Sequence, residues 1–543
     1  MTANPYSGGA QRLGAGSQNP WFVLGVLCMA IFMLLLDTTI VNVAQVKIKD
    51  DLGATLTQIQ WILDAYILAY AVLLLSFGRL GDVFGRKKLF LVGMAVFTAA
   101  SVLCAASAWL GDQLGISGAN VLIFARVLQG IGGAFMMPQT LSLLMVTFPA
   151  EKRGTALGIW GSVVALGAIV GPVLGGFIVT NYAWEWIFLI NLPVGMLLIY
   201  LTLKVIPEST DPMASGKVDW GGLVFSGTGI FALVFACIEG NRLGWTSPAI
   251  LLSFAASAFL LTVFILWERR VPDPMIKLEL FKIRNFTVSN IIATIVAFGM
   301  LGIFFPMTLF LQQALGYSPI KAGLSMTPMS IMILIAAPFA GRFTDRFGPR
   351  WILVAGTGLM TIGILLIVQS ISLETTPLSL APSMAITGLG MGMTFSPMTA
   401  AAMRDVPHRI AGSASGILNT MRNIGQVLGI AILGSFLQNR IGFFTTDRLG
   451  ESELEPQVAD QIAEMASQNQ FTELMTLVPD SLSGFVQDQV DAAFVSAIHS
   501  TFTAGAVACA VAVVGALMLR NPDRAKVTVG SSTTDVREAS IAD

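Results

Sequence analysis

Charge is scarce in this chain. Only 12 % of its 543 residues are Asp, Glu, Lys or Arg, against about a quarter in an ordinary soluble domain. A chain that is also 55 % hydrophobic cannot clothe a water-facing surface, which excludes a large soluble globule. The formal net charge of −1 excludes the basic footprint of a nucleic-acid binder. Cysteine and histidine are rare too. Cys28, Cys104, Cys237 and Cys509 lie singly in apolar stretches with no metal-ligand spacing. His408 and His499 stand far apart near predicted helix ends. No zinc site or nucleophile triad can be built from these, so no metal, no cofactor and no enzymatic activity are expected. The pattern G-x-x-x-x-G-K-[ST] is missing, which leaves ATP-driven pumping without support.

Long apolar runs are abundant instead. A span needs about 20 mostly apolar residues. By that measure helices are predicted at 21–45, 59–78, 88–108, 120–143, 154–180, 186–206, 219–239, 249–267, 287–311, 322–341, 351–371, 378–402, 412–436 and 494–518, about fourteen in all. The first run is too long for a signal-peptide core and no small-residue cleavage site stands out, so it is expected to remain as a span. The expected class is all-α integral membrane: a six-helix bundle over 21–206, an inserted pair over 207–286 and a second bundle over 287–518, between tails 1–20 and 519–543. With the N-terminus inside, roughly 23 of the 31 Lys and Arg fall on the inner side and about 6 outside. Both termini are therefore expected in the cytoplasm. Segment 437–493 is then an acidic outer loop, with an amphipathic stretch at 458–465.

Two inner loops match each other. Gly78-Arg79-Leu80-Gly81-Asp82-Val83-Phe84-Gly85-Arg86 follows span two, and Gly341-Arg342-Phe343-Thr344-Asp345-Arg346-Phe347-Gly348 follows span ten. Such a repeat suggests a transporter of two similar halves. Glycine permits a tight turn, and Asp82 or Asp345 can pair with a loop arginine such as Arg86 or cap a helix N-terminus. Either contact would latch the halves together.

These loops resemble the signature of the major facilitator superfamily and its weaker second copy. Leu36-Asp37-Thr38-Thr39-Ile40-Val41-Asn42 is similar to the first-helix motif of the fourteen-helix drug:proton antiporters of the QacA/EmrB type, although Gln45-Val46 stands where that motif continues Leu-Pro. Arg126-Val127-Leu128-Gln129-Gly130-Ile131-Gly132-Gly133 looks like the fourth-helix motif. Gly158 through Gly176, with Gly171-Pro172, looks like the fifth-helix antiporter motif. The resemblance implies a major facilitator fold, export rather than uptake, and proton coupling through Asp37 and Arg126.

Charges inside spans are few: Asp37, Asp64, Arg126 and Arg422, with Glu239 near the end of span seven. An acid at mid-helix costs about 2.5–3.5 kcal/mol on insertion scales, which marks each as functional. Asp37, Asp64 and Arg126 are predicted roughly 8–12 Å below the outer surface from a rise of about 1.5 Å per residue. Burial favours a neutral acid and a nearby guanidinium an ionised one, so an Asp37–Arg126 pair can load and release protons, and Asp64 at similar depth is assigned to proton coupling with them. Trp61 and Asp64 share a helix face, a combination suited to lipophilic cations. Gly167, Gly171 and Gly175 form a small-residue row that lets a neighbouring helix approach closely; with Pro172 it is read as packing, as a pliable seam between the halves, or as both. The substrate cavity is expected to use Trp61, Asp64, Gln129, Met137, Met307 and Arg422, with Met136, Met300 and Met326 as further candidates. Gating is assigned to Gly78, Asp82, Arg86, Gly341, Asp345, Gly171 and Pro172. The reading is a proton-coupled exporter of small amphiphilic or cationic molecules, with protons and the lipid bilayer as its other partners and a monomer as its state. The alternatives are a dedicated exporter of one metabolite or lipid, and a transport-inactive sensor.

Overall fold

Inside a bilayer a backbone can satisfy its own hydrogen bonds only as helices or closed barrels, and the long apolar runs are helical. The computed structural model describes residues 19–210, 218–272, 274–317, 319–407, 410–450, 456–467, 478 and 480–520. His408 and most of both terminal tails lie outside the described residues.

The N-terminal half comprises α1 (Pro20–Leu52), α2 (Leu56–Phe84), α3 (Arg86–Ala105), the short α4 (Ser107–Leu114), α5 (Gly118–Thr147), α6 (Arg153–Asn181), the single turn α7 (Trp186–Leu189) and α8 (Asn191–Val205). The inserted pair is α9 (Trp220–Leu243) and α10 (Pro248–Glu268). The C-terminal half comprises α11 (Arg284–Leu309), α12 (Pro319–Phe347), α13 (Pro349–Ser370), α14 (Pro377–Met403), α15 (Ala411–Leu449), α16 (Pro456–Ser467) and α17 (Asp480–Leu517). Among the described residues, twelve helices are long and apolar enough to cross a membrane. The α6 and α11 helices add two more of spanning length, 29 and 26 residues.

Local chemistry sets the helix ends. Asn19 accepts from the Trp21 amide with Pro20 in the first turn, and the helix stops at Gly53 with φ 57°. Thr55 and Gln58 form a capping box for α2. Segment 437–493, expected as an outer loop with one amphipathic stretch, differs: α15 runs on to Leu449 and the last helix begins at Asp480, so much of it is helical. Leu437, Ile441, Thr445 and Leu449 are buried at four-residue spacing, and α15 packs on α16, which buries Ala459, Ile462 and Ala466. Polar residues on the opposite face of this stripe dilute its hydropathy, which is why it reads as a loop.

Two seams join the halves, α6 against α12 and α2 against α15. The α9 helix packs on α10, α2 and α15, along the second seam. Of α10, only Ile250, Ser257, Phe264 and Glu268 are buried, as expected for a helix facing lipid.

Candidate functional site

Two of the rare charges of the spans meet in the N-terminal half. Asp37 of α1 and Arg126 of α5 are both buried and form an ion pair at 2.5 Å. The carboxylate is further held by Gln129, whose Nε2 donates at 2.7 Å, and by Asn191 of α8, whose Nδ2 donates at 3.0 Å. Ser101 of α3 accepts from both amides, at 2.9 and 3.3 Å. Arg126 also donates to the Gln129 carbonyl oxygen at 2.6 Å and to the Ile62 backbone oxygen of α2 at 3.1 Å. Its guanidinium lies 4.3 Å from the Tyr66 ring centroid. Five helices of one half thus supply groups to the network around a single buried acid.

Some expected residues lie elsewhere. Gln129, expected in the substrate cavity, hydrogen-bonds Asp37 within this network. Ser101 and Asn191 were not anticipated. Asn191 left a trace, a polar residue within an apolar run, whereas a serine in an Ala-rich helix leaves none. Asp64 does not join Asp37; it is half-buried on α2, close enough to Glu239 of α9 for their charges to interact. One turn away, the Trp61 ring lies 6.5 Å from that of Phe235 on α9. Helix rotation explains the separation: Asp64 and Asp37 have similar predicted depths, but α2 turns Asp64 toward α9.

Arg422 of α15 is buried, with its guanidinium 5.0 Å from the Phe395 ring centroid. Its Nε has no hydrogen-bond partner, and no carboxylate among the described residues pairs with it at salt-bridge distance. Met307 lies with Met300 and Met326 around a small cavity of the C-terminal half, of about 20 Å³; Met137 is buried in α5 and does not line it.

The loop acids reach across the halves reciprocally. Asp82 accepts from the backbone amides of Gly412 and Ser413, at the start of α15, at 2.8 and 2.7 Å. Arg86 holds the same carboxylate through Nε at 3.0 Å and Nη2 at 2.7 Å. Asp345 accepts from the amides of Gly154 and Thr155, at the start of α6, at 2.7 and 2.8 Å, and from the Thr155 hydroxyl at 2.8 Å. Each half therefore caps a helix N-terminus of the other. Glycine makes the approach possible: a Cβ on Gly78 would lie 2.6 Å from the Gly412 carbonyl oxygen, and one on Gly341 would run into that of Gly154. Glu208, beyond α8, accepts from the Lys87 and Lys88 amides at 3.0 and 3.2 Å and so ties the linker to the same loop.

The glycine row of α6 is placed differently from expectation. Gly167, Gly171 and Gly175 face Leu35, Thr39 and Ile40 of α1, within one half. The seam to α12 is made by Gly154, Gly158 and Ser162, whose hydroxyl donates to the Leu334 carbonyl at 3.2 Å. The row's four-residue period marks one helix face, but only packing decides which neighbour that face meets. The side chain of Pro172 lies outside the described residues.

A repeated all-helical fold with reciprocal loop latches and a buried ionic cluster defines a membrane transporter class. The chain belongs to the Major Facilitator Superfamily, whose family model matches residues 27–430. Among similar proteins is the tetracenomycin C resistance and export protein of Streptomyces glaucescens, 33 % identical, with 91 % of each chain covered. An MFS-type transporter of Mycobacterium tuberculosis is 37 % identical over 80 % of this chain and 73 % of its own. The probable actinorhodin transporter of Streptomyces coelicolor is 36 % identical over 78 % and 73 %. The solved proton:xylose symporter XylE matches the fold with a TM-score of 0.57 at 13 % identity, covering 91 % of this chain and 94 % of that one.

Proposed function

We propose that this chain is a proton-coupled antiporter that exports small amphiphilic or cationic compounds across the plasma membrane by alternating access. It crosses the bilayer fourteen times, α6 and α11 included, with both termini in the cytoplasm. The observation that carries the reading is the Asp37–Arg126 pair inside a network drawn from five helices.

As a carboxylate, Asp37 accepts from Arg126, Gln129 and Asn191. Protonation turns one oxygen into a donor, which faces N–H groups that cannot accept. At least one donor must then turn away, so proton uptake is coupled to a shift of α1 against α5 and α8. Arg126 stays charged and orients the acid rather than carrying the proton. The loop latches hold the halves together at the cytoplasmic end, the state in which the opposite end receives protons. Asp64 and Glu239 beside Trp61 and Phe235 supply negative charge and aromatic surface for a cationic cargo. A second reading, a dedicated exporter of one compound, draws support from relatives named for tetracenomycin C and actinorhodin.

The test is ethidium efflux from inverted vesicles with and without a proton gradient. Asp37→Asn is expected to abolish the gradient-driven component while the protein remains folded. Wild-type coupling in that variant would rule the mechanism out. A compound panel separates the two readings: export of a single member favours the dedicated exporter.

A further inference from the structure

We propose that the C-terminal half holds an apolar pocket for the uncharged aryl or alkyl part of the cargo, built at the position where the N-terminal half keeps Asp37 and Arg126. The inference rests on the export reading above and names the chemistry that this half recognises.

The repeat establishes the correspondence. Matching the two loops at Asp82 and Asp345 carries Asp37 onto Met300, Tyr66 onto Met329, Phe97 onto Met360 and Ser101 onto Ile364. Contacts between helices extend it to α5 and α14. Gly130 abuts the Tyr66 carbonyl and Gly132 the Phe97 backbone; Gly388 abuts the Met329 carbonyl and Gly390 the Met360 backbone. That register carries Arg126 onto Met384 and Gln129 onto Thr387. Met300, Met329, Met360, Ile364, Met384 and Thr387 all line the cavity of about 20 Å³ in the C-terminal half. The ionic cluster of one half is thus a methionine-rich hollow in the other.

Its chemistry follows from its walls. The one hydroxyl present, on Thr387, is spent on the Ser383 carbonyl at 2.8 Å, so the hollow offers nothing to a charge. Apolar cavities stay dry and accept apolar guests. Methionine is unbranched, polarisable and favourable against aromatic rings, so the wall can re-form around flat or branched groups. The volume is about that of one water, and entry of a ring requires these side chains to swing aside. No titratable group stands at the Asp37, Arg126, Ser101 or Gln129 equivalents, so this position of the second half carries no proton.

The test is photolabelling of the full chain in lipid nanodiscs with 3-trifluoromethyl-3-phenyldiazirine, an uncharged aryl carbene source, followed by peptide mapping. Met360, Met384 and Met391 are no more than 2 % exposed, as are Met94 and Met136 in the N-terminal half. Labelling of the first group at least about fivefold above the second is expected if the cavity admits the probe. Equal labelling overturns the pocket. Met391→Phe and, independently, Met300→Phe should lower the signal, with unchanged labelling of lipid-facing Phe259 as the folding control; no loss in either overturns the assignment. Excess tetraphenylphosphonium should protect the site. Protection by added phosphatidylglycerol alone would assign the pocket to a lipid chain and overturn the cargo assignment. Labelling needs no gradient, so Asp37→Asn should label like the wild type, and the pocket stands or falls separately from proton coupling.

Discussion

The two loop latches are related by the repeat but are unequal in chemistry, and their removal should have unequal effects. Asp82 caps α15 and also neutralises Arg86, whose side chain is 2 % exposed. Asp345 caps α6 through amides and a hydroxyl, with no ion pair of its own among those contacts. Losing a capping side chain costs about 0.5–2 kcal/mol. Removing one partner of a buried ion pair costs about 3–5 kcal/mol, because the other charge stays buried and uncompensated. Asp345→Asn should therefore weaken closure of the loop-bearing end by about 1 kcal/mol. In Asp82→Asn the closed end also keeps Arg86 buried without its carboxylate, and an opening that hydrates Arg86 relieves that cost, so closure should weaken by about 3 kcal/mol or more, two orders of magnitude in the equilibrium between closed and open ends. Spin labels on exposed Lys88 and Arg346 would report the distance between the halves. The four native cysteines are all buried, which favours labelling at the introduced sites. The longer-distance population should grow modestly in Asp345→Asn and dominate in Asp82→Asn. Equal shifts, or a larger one in Asp345→Asn, would refute the coupling of closure to the buried, Asp82-paired Arg86.

Two further substitutions probe the interior. Asn191→Leu removes a donor to Asp37 and an amide that bonds Ser101; a hydrogen bond to a charged group contributes about 1.5–3 kcal/mol. The expected result is a shifted pH profile of gradient-driven ethidium efflux with little change in passive binding; an unchanged profile would remove Asn191 from the coupling network. Arg422→Met replaces a buried guanidinium that lacks a carboxylate partner at salt-bridge distance among the described residues. Thermal unfolding in detergent should show the variant as stable as the wild type or more so, since apolar replacement of buried charge often gains about 1–4 kcal/mol. Its export should fall, and a destabilised variant would point instead to a structural partner for the arginine.

Much of the architecture was legible because it is written locally. Apolar runs report spans wherever the chain folds. The matched loops at Asp82 and Asp345 disclosed the repeat, and the cost of burying charge singled out Asp37, Asp64, Arg126 and Arg422 before any contact was known. The continuation of α15 past residue 436 escaped this reading, because a half-polar helix carries too little hydropathy to register as a span.

Sequence alone therefore determined which residues are unusual and which helix each occupies. Tertiary packing decided what each one faces, because a helix period of about 3.6 residues leaves rotation about the axis and choice of neighbour open. That rotation joined Asp37 to Arg126 and Asn191 and turned Asp64 toward Glu239. It laid Gly171 against α1 instead of the seam, and it gathered the methionines where the other half keeps its charges.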